Sequence, residues 1–140
     1  MVSVVPRLSS KNILNRIGVN KKTVIIGASP NTNRYAYLAA EMLTEYRHEI
    51  VPVGIKKGEI LGHAIMNIAD RPSIKEVDTV TLYIGPQHQP EHYNYILSLK
   101  PKRVIFNPGT ENREFELLLE ESGIEAIEAC TLVMLRSHQY

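Results

Sequence analysis

A loop rich in hydrogen-bond donors follows the first short apolar segment of the sequence, Thr23–Ile26. The loop comprises Gly27, Ala28, Ser29, Pro30, Asn31, Thr32, Asn33 and Arg34. Glycine permits a tight turn, a serine hydroxyl donates to a phosphate oxygen, and arginine adds positive charge. Backbone N–H groups at the start of a following helix also favour an anion. The loop therefore predicts a phosphate site, with an ordinary strand-to-helix turn as the alternative.

A basic turn follows the second apolar segment, Ile50–Val53, and contains Lys56 and Lys57. In NAD-binding proteins an acidic residue near this point binds the ribose hydroxyls. No acid occurs here before Glu59, and the first loop has only the first glycine of the G-x-G-x-x-G pattern. Two lysines suit a phosphorylated ribose better than a free diol, although a solvated turn would also account for them.

Two later apolar segments, Val80–Ile84 and Val104–Phe106, also end in turns built from glycine and proline. Their turn residues are Tyr83, Gly85 and Pro86 in one case, and Asn107, Pro108 and Gly109 in the other. Turn formation alone would account for each of them. Three backbone-exposing turns after strands of one sheet, however, favour a binding edge at the carboxyl ends of those strands.

The elements that must position these turns follow from the alternation of apolar segments and helical periods. The predicted strands are the four segments above and a weaker one at Glu125–Ile127; the predicted helices cover Tyr35–Tyr46, Pro90–Leu97 and Glu111–Glu121. We predict an α/β fold, a Rossmann-like doubly wound and mainly parallel five-stranded sheet with helices on both faces.

Finer expectations concern helix ends and unclear segments. Tyr35, Leu38, Ala39, Met42, Leu43 and Tyr46 predict the buried stripe of the first helix, with Asn31, Thr32 or Asn33 as its cap. Gly123 is the expected cap at the end of the third helix. Glu59–Leu61 is a marginal strand. Residues 1–20 are expected to form an arm with a short helix at Asn12–Ile17, and residues 21–140 the domain.

Composition excludes several classes of function. The chain has 140 residues, 44% of them hydrophobic, which fits one domain with a real core. A net charge of +1 argues against bulk nucleic-acid or membrane binding. The single cysteine excludes an internal disulfide, and the first residues lack the pattern of a signal peptide. We therefore expect a cytoplasmic protein that binds neither nucleic acid nor membrane.

Other candidate chemistry is weak. His88 and His92 have a metal-binding spacing, but Pro90 lies between them and no further ligand is near in sequence, so we expect no metal. Ser29 lies in no nucleophile-elbow pattern and no catalytic residue is assigned. Cys130 is either a redox-active thiol or a small buried hydrophobe.

At this point a family resemblance is visible. The sets VIIGAS at residues 24–29, Asn33-Arg34, VGIKKGEI at 53–60 and FNPGTEN at 106–112 resemble the stand-alone CoA-binding domain family, which is similar to the N-terminal domain of the succinyl-CoA synthetase alpha subunit. The resemblance implies that coenzyme A lies across the strand ends. It places the diphosphate on Gly27–Arg34 and the phosphorylated adenosine near Lys56 and Lys57. The pantetheine arm would pass Tyr83–Pro86 and Asn107–Gly109.

The resemblance also sets limits. Many such domains carry Asp-Arg before the C-terminal cysteine, where this chain has Glu128-Ala129, and the apolar run Leu132–Leu135 replaces a commoner basic tail. The synthetase's phosphohistidine domain is missing, so its ligase chemistry is not implied. We expect non-catalytic binding of CoA or acyl-CoA, with an NADP-binding oxidoreductase or an accessory subunit of an acyl-CoA ligase or transferase as the alternative.

The position of Cys130 after the last predicted strand suggests a role for it, because this fold places such a residue near the edge of the crevice. If Cys130 lies near the crevice, it is the residue that would form a mixed disulfide with the CoA thiol. The tail Leu132–Leu135 either covers the sheet of its own domain or packs against a second copy. A homodimer or an acyl-CoA enzyme is therefore the expected protein partner.

Overall fold

The computed structural model describes residues 20–140. Its centre is a sheet of six strands, namely β1 (Thr23–Ile26), β2 (Ile50–Gly54), β5 (Met66–Asn67), β6 (Thr79–Leu82), β7 (Arg103–Phe106) and β8 (Glu125–Glu128). Their spatial order is β5-β2-β1-β6-β7-β8, and every neighbouring pair is parallel. The predicted helix at Asn12–Ile17 lies outside the described residues.

The predicted fold class is confirmed, with one strand more than expected. The five predicted strands are present, and the additional strand β5 has two residues and pairs with the end of β2. Numbered among the sheet strands alone, the order is 3-2-1-4-5-6, which is the Rossmann arrangement. From β1 the chain first adds β2 and β5 on one side and then adds β6, β7 and β8 on the other side. A crevice therefore opens above the carboxyl ends of β1 and β6, where the strand order reverses.

The remaining elements are short. The α-helices are α1 (Tyr35–Glu45), α2 (Tyr93–Ser98), α3 (Arg113–Glu121) and α4 (Thr131–Arg136), and a hairpin is formed by β3 (Glu59–Ile60) and β4 (His63–Ala64). Single 3-10 turns cover Ile68–Asp70, Pro86–His88 and Pro90–His92. In the described chain, no helix is both long and apolar enough to span a bilayer.

Helices cover both faces of the sheet because successive strand residues point to opposite sides. In β1, Val24 and Ile26 belong to a core cluster that contains Phe106 and Phe115, on the side of α2 and α3. Ile25 belongs to a second cluster, with Leu43 of α1 and Leu135 of α4. Near-continuous apolar strands are therefore buried on both faces, as expected of a parallel sheet.

Two expectations for α1 were wrong. Its buried residues are Ala36, Ala39, Ala40 and Leu43, while Tyr35 and Leu38 of the predicted stripe are exposed. The small alanines form the face that packs on the sheet. The N-cap is Arg34, without a side-chain cap, because Asn31 instead accepts a hydrogen bond from the backbone N–H of Asn33.

The other helix boundaries agree better with the sequence. Helix α3 begins after Asn112, whose side chain accepts from the backbone N–H of Phe115, and Gly123 follows its end with φ of 77°. Within the tail, Leu132 and Leu135 of α4 are buried in the core of the same domain. The tail thus covers a face of its own sheet, and the homodimer stays a prediction.

A polar cluster closes the amino ends of the strands, opposite the crevice. The backbone N–H of Lys21 donates to Nδ1 of His48 at 3.1 Å, and the Tyr140 ring lies 4.8 Å from the His48 ring. The Arg103 guanidinium stacks 4.3 Å from the Tyr140 ring. Burial, and then the charges of Lys21 and Arg103, lower the pKa of His48 from 6.5 to about 4.

This cluster predicts an acid-sensitive fold. The unfolded chain takes up a proton on His48 near pH 6.5, but the folded chain does so only near pH 4. The free energy of unfolding should therefore fall as pH decreases through this window, by on the order of 2 kcal/mol. Urea unfolding between pH 7 and 4 measures it. In His48→Gln this contribution should vanish, whereas His63→Gln, at an exposed site, should keep it; parallel curves for wild type and His48→Gln would contradict the assignment.

Candidate functional site

A cleft of about 830 Å³ lies above the carboxyl ends of β1, β2, β6 and β7. The loops that follow these four strands form its walls. Ten of the thirteen predicted site residues line it: Gly27, Ala28, Ser29, Asn33, Arg34, Lys56, Tyr83, Gly85, Pro108 and Gly109. The other three, Lys57, Pro86 and Asn107, do not line it. The structure therefore brings most of the predicted set to one place.

The turn after β1 requires glycine for two reasons. Gly27 has φ of +97°, a region that side chains rarely adopt. A Cβ atom there would also lie 2.8 Å from the carbonyl oxygen of Tyr83, in the turn after β6. The backbones at the exits of β1 and β6 therefore approach each other more closely than any other residue would allow.

The loop from Gly27 to Arg34 is ordered by its own side chains. Oγ of Ser29 accepts a hydrogen bond from the backbone N–H of Asn31 at 3.1 Å, which leaves the Ser29 hydroxyl proton free to donate elsewhere. Within residues 20–140, the first backbone N–H groups of α1, at Tyr35 and Ala36, have no protein acceptor. Together with the Arg34 side chain, these donors suit an anion in the cleft.

The loop after β2 packs against this anion loop. A Cβ atom on Gly58 would lie 3.2 Å from the ring of Pro30, and one on Gly54 would lie 2.8 Å from the Ala28 oxygen. Lys56, which lies between these two glycines in the sequence, lines the same cleft as Ser29. Lys57 is exposed and lies outside the cleft lining.

Sequence reasoning missed two apolar residues at this end of the cleft. Tyr35 is 70% exposed and Ile55 is 76% exposed, and both line the cleft. Large apolar side chains that are exposed beside a cleft are available for a ligand to cover. The helical period places Tyr35 in the buried stripe of α1, so the sequence predicts that its side chain faces the core. Ile55 could have been identified as a residue of the site from its position, because it follows a strand and directly precedes Lys56.

Asn107 does not line the cleft, and its side chain has a structural role instead. Its side-chain amide donates to Oγ1 of Thr81 at 2.6 Å and to the Leu82 oxygen at 2.9 Å, while Oδ1 accepts from the backbone N–H of Thr131 at 2.9 Å. The side chain is buried, and all its hydrogen-bonding groups bind protein. Asn107 thus joins the ends of β6, β7 and the start of α4, and it positions Pro108 and Gly109.

Tyr83 and Cys130 lie near one another beyond β6 and β8. Tyr83 lines the cleft and packs partly into the core on the α1 side, and burial raises the pKa of its hydroxyl well above the usual range. Cys130 is a partly exposed free thiol that immediately precedes α4. It is not among the residues that line the cleft. Its proposed disulfide with CoA stays a prediction.

The wall after β6 contains polar residues that were not predicted as ligand contacts. His88, Glu91 and His92 line the cleft, together with Ile84 and Thr110. Pro90 begins a 3-10 turn that ends at His92, whereas the sequence predicted that Pro90 begins the α-helix, which starts at Tyr93 instead. No group of three potential metal ligands occurs among the described side chains.

The wall is held by Gln89, which is fully buried. Its amide donates to the main-chain oxygens of Ile84 at 3.1 Å and Thr110 at 2.8 Å, and its oxygen accepts from Asn112 at 2.9 Å. These bonds join the loop after β6 to the loop after β7. The width of the cleft between these two loops is therefore fixed by hydrogen bonds within the protein.

These features define a Rossmann-like α/β protein with an open cleft at the carboxyl edge of its sheet. The signature of the CoA-binding domain family matches residues 21–136. The chain therefore belongs to the CoA-binding domain family. No curated protein gives a significant match.

Solved structures agree with this family. A crystal structure of an uncharacterized protein is 63% identical with a TM-score of 0.85, and the match covers 88% of this chain and 100% of that one. A hypothetical protein from Pyrococcus horikoshii OT3 is 27% identical with a TM-score of 0.73, over 99% and 97% of the two chains. A Thermus thermophilus structure, 20% identical with a TM-score of 0.75 over 95% and 100%, shares the fold.

The close approach at Gly27 gives a matched pair of substitutions. Gly27 and Gly109 have φ of +97° and +93°, but only a Cβ at Gly27 meets other atoms, since nothing lies within 4 Å at Gly109. We expect Gly27→Ala to lower the free energy of unfolding by roughly 2 kcal/mol or more, and Gly109→Ala by about 1 kcal/mol. Urea unfolding measures both. Equal losses would show that backbone strain alone accounts for the glycine at position 27.

Proposed function

We propose that this protein binds coenzyme A or an acyl-CoA in the cleft at the carboxyl edge of its sheet and performs no chemistry on it. The observation that carries the proposal is the cleft itself, which combines the donor-rich loop Gly27–Arg34, Lys56 and the exposed apolar side chains of Tyr35 and Ile55 in a chain of the CoA-binding domain family. Such a cleft lies at the reversal point where Rossmann-like sheets bind their ligands.

The loop from Gly27 to Arg34 is the proposed site of the diphosphate. Support comes from the free donors described above, namely the Ser29 hydroxyl, the N–H groups at the start of α1 and the Arg34 side chain. Asn33 also lines this part of the cleft. Hydrogen bonds to a charged acceptor, such as a phosphate, are shorter and stronger than hydrogen bonds to a neutral acceptor.

The adenosine end is proposed to lie over the loop after β2. Lys56 is placed to neutralise the 3′-phosphate, with Lys57 contributing from outside the cleft. Tyr35 and Ile55 are the apolar side chains available to cover the two faces of the adenine ring. The pantetheine arm would then cross β6 and β7, along Tyr83, Gly85, Pro108 and Gly109. Asn107 and Pro86 would act indirectly, by holding these turns.

An NADP-binding role is the second candidate, because Lys56 would also suit a 2′-phosphate and the strand order is common to both ligand classes. Calorimetry with CoA, dephospho-CoA and NADP separates the two. Tighter binding of CoA than of NADP supports the proposal. Binding of NADP alone, followed by a change in nicotinamide absorbance with a substrate, would replace it.

The lysines provide a first mutational test. In wild type, CoA should bind roughly tenfold more tightly than dephospho-CoA because only CoA carries the third phosphoryl group. Lys56→Ala should remove most of this difference, and Lys57→Ala, one residue away and outside the cleft lining, should remove less. Calorimetry at fixed ionic strength measures both, and equal binding of the two ligands to wild type would exclude the role given to the lysines.

Tyr35 provides a second test, directed at the base. Tyr35→Ala should weaken binding of CoA and of ADP by a similar factor, roughly tenfold, since stacking on a base contributes about 1–3 kcal/mol. Tyr35→Phe keeps the ring and should bind as wild type does. Tyr35 is exposed, so neither change should alter the free energy of unfolding much. Unchanged affinities in Tyr35→Ala would place the base elsewhere.

A further inference from the structure

The two ends of the cleft differ in chemistry. The loops after β1 and β2 supply Lys56, Arg34 and the open apolar pair, while the loop after β6 supplies His88, Glu91 and His92. Neighbouring strands lie about 4.8 Å apart, and the sheet order is β2-β1-β6-β7. On the proposed function, with phosphates over β2 and β1, the arm of the coenzyme must lead toward β6 and β7. Its thiol end therefore reaches the wall of His88, Glu91 and His92.

This wall is rigid. Pro86 and Pro90 each begin a 3-10 turn, and the buried Gln89 between them anchors the segment to the loops on either side. The side-chain amide of Gln89 is engaged in these hydrogen bonds within the protein. His88 and Glu91 project from the same segment with no side-chain hydrogen bond to the described part of the chain. They are therefore free to contact a ligand.

His92 is fixed in the wall. Its side chain is only 13% exposed, and its Nδ1 atom is buried and has no hydrogen-bond partner in the described structure. That leaves Nε2, 3.8 Å from a carboxylate oxygen of Glu91, as the ring nitrogen available to a ligand. Burial lowers the pKa of His92 and so favours the neutral ring, which can take part in hydrogen bonds without carrying a charge.

Glu91 supplies the charge of this wall. Its side chain is 71% exposed, and its main-chain oxygen accepts from Arg71 at 3.2 Å. Arg71 itself does not line the cleft. A carboxylate at the end of an acyl chain would therefore meet a like charge, whereas a hydroxyl could donate to Glu91 or bond to His92.

From this arrangement, we propose that the wall of His88, Glu91 and His92 is an acyl subsite, and that the ligand is a CoA thioester whose short acyl group carries a hydroxyl. The hydroxyl lies between Nε2 of His92 and the Glu91 carboxylate, with Ile84 against the hydrocarbon part. The subsite selects among thioesters and makes no contact with the phosphates. It rests on the proposed binding of CoA, since the coenzyme brings the acyl group to the wall.

Three thioesters with four-carbon acyl groups test the subsite. Calorimetry compares butyryl-CoA, 3-hydroxybutyryl-CoA and succinyl-CoA, with free CoA as the reference. We expect 3-hydroxybutyryl-CoA to bind roughly tenfold more tightly than butyryl-CoA, which corresponds to one well-made hydrogen bond. Succinyl-CoA should bind several-fold more weakly than butyryl-CoA because of Glu91.

Substitutions assign the effect to named residues. His92→Phe keeps an aromatic ring and should abolish the preference for the hydroxyl while free CoA binds as before. Glu91→Gln should restore succinyl-CoA to the affinity of butyryl-CoA. Glu91→Ala removes the other proposed partner of the hydroxyl from an exposed position, should reduce the hydroxyl preference in part, and serves if His92→Phe does not fold.

The outcomes separate this inference from the proposed function. If free CoA binds but the three thioesters bind equally in wild type, the acyl subsite is wrong and the proposed function stands. The subsite is also overturned if His92→Phe and Glu91→Gln leave the ranking of the thioesters unchanged. If free CoA does not bind at all, the proposed function itself fails.

Discussion

The contact between the exits of β1 and β6 is the constraint on which the cleft depends. Gly27 leaves β1 with a backbone conformation that side chains avoid, and its Cα faces the Tyr83 carbonyl at a distance that excludes a Cβ atom. This approach sets where the chain turns away from the sheet on either side of the reversal point. The Ser29 loop and the Tyr83 turn therefore diverge from one place, and the cleft is the space between them.

The rest of the edge is built outward from this contact by pairs of loops that hold each other. Gly58 packs on Pro30, which joins the loops after β2 and β1. Gln89 joins the loops after β6 and β7 through the oxygens of Ile84 and Thr110. Because contacts within the protein already fix the positions of these loops, a ligand would have to order little of the chain when it binds. The Asn107 bonds extend the same support to α4.

Much of the edge was predictable from the sequence, because glycine and proline directly after an apolar strand mark the place where the chain turns. The turn at Gly27 and the Pro108–Gly109 turn were identified in this way, and Lys56 was identified by its charge in the turn after the second strand. Side-chain direction was not predictable. Asn107 points into the protein because three hydrogen-bonding groups converge on it, and none of them is near it in sequence.

The face of α1 and the polar wall were missed for related reasons. The helical periodicity predicted that Tyr35 is buried. In the structure, small alanines let the helix approach the sheet, and its buried face contains Ala36 and Ala40 instead of Tyr35. β5, with two residues, is too short to show a period. The wall of His88, Glu91 and His92 depends on two 3-10 turns held by Gln89, a tertiary arrangement with no local signature.

The margins of the sheet bear on how copies of this protein would meet. One margin is β5, with only two residues, and the other is β8, where Glu125 and Glu128 are exposed. Short or acidic outer strands are poor templates for adding a strand from another molecule. Within residues 20–140, association through the sheet margins is therefore disfavoured, and contacts between copies would have to use other surfaces of the domain.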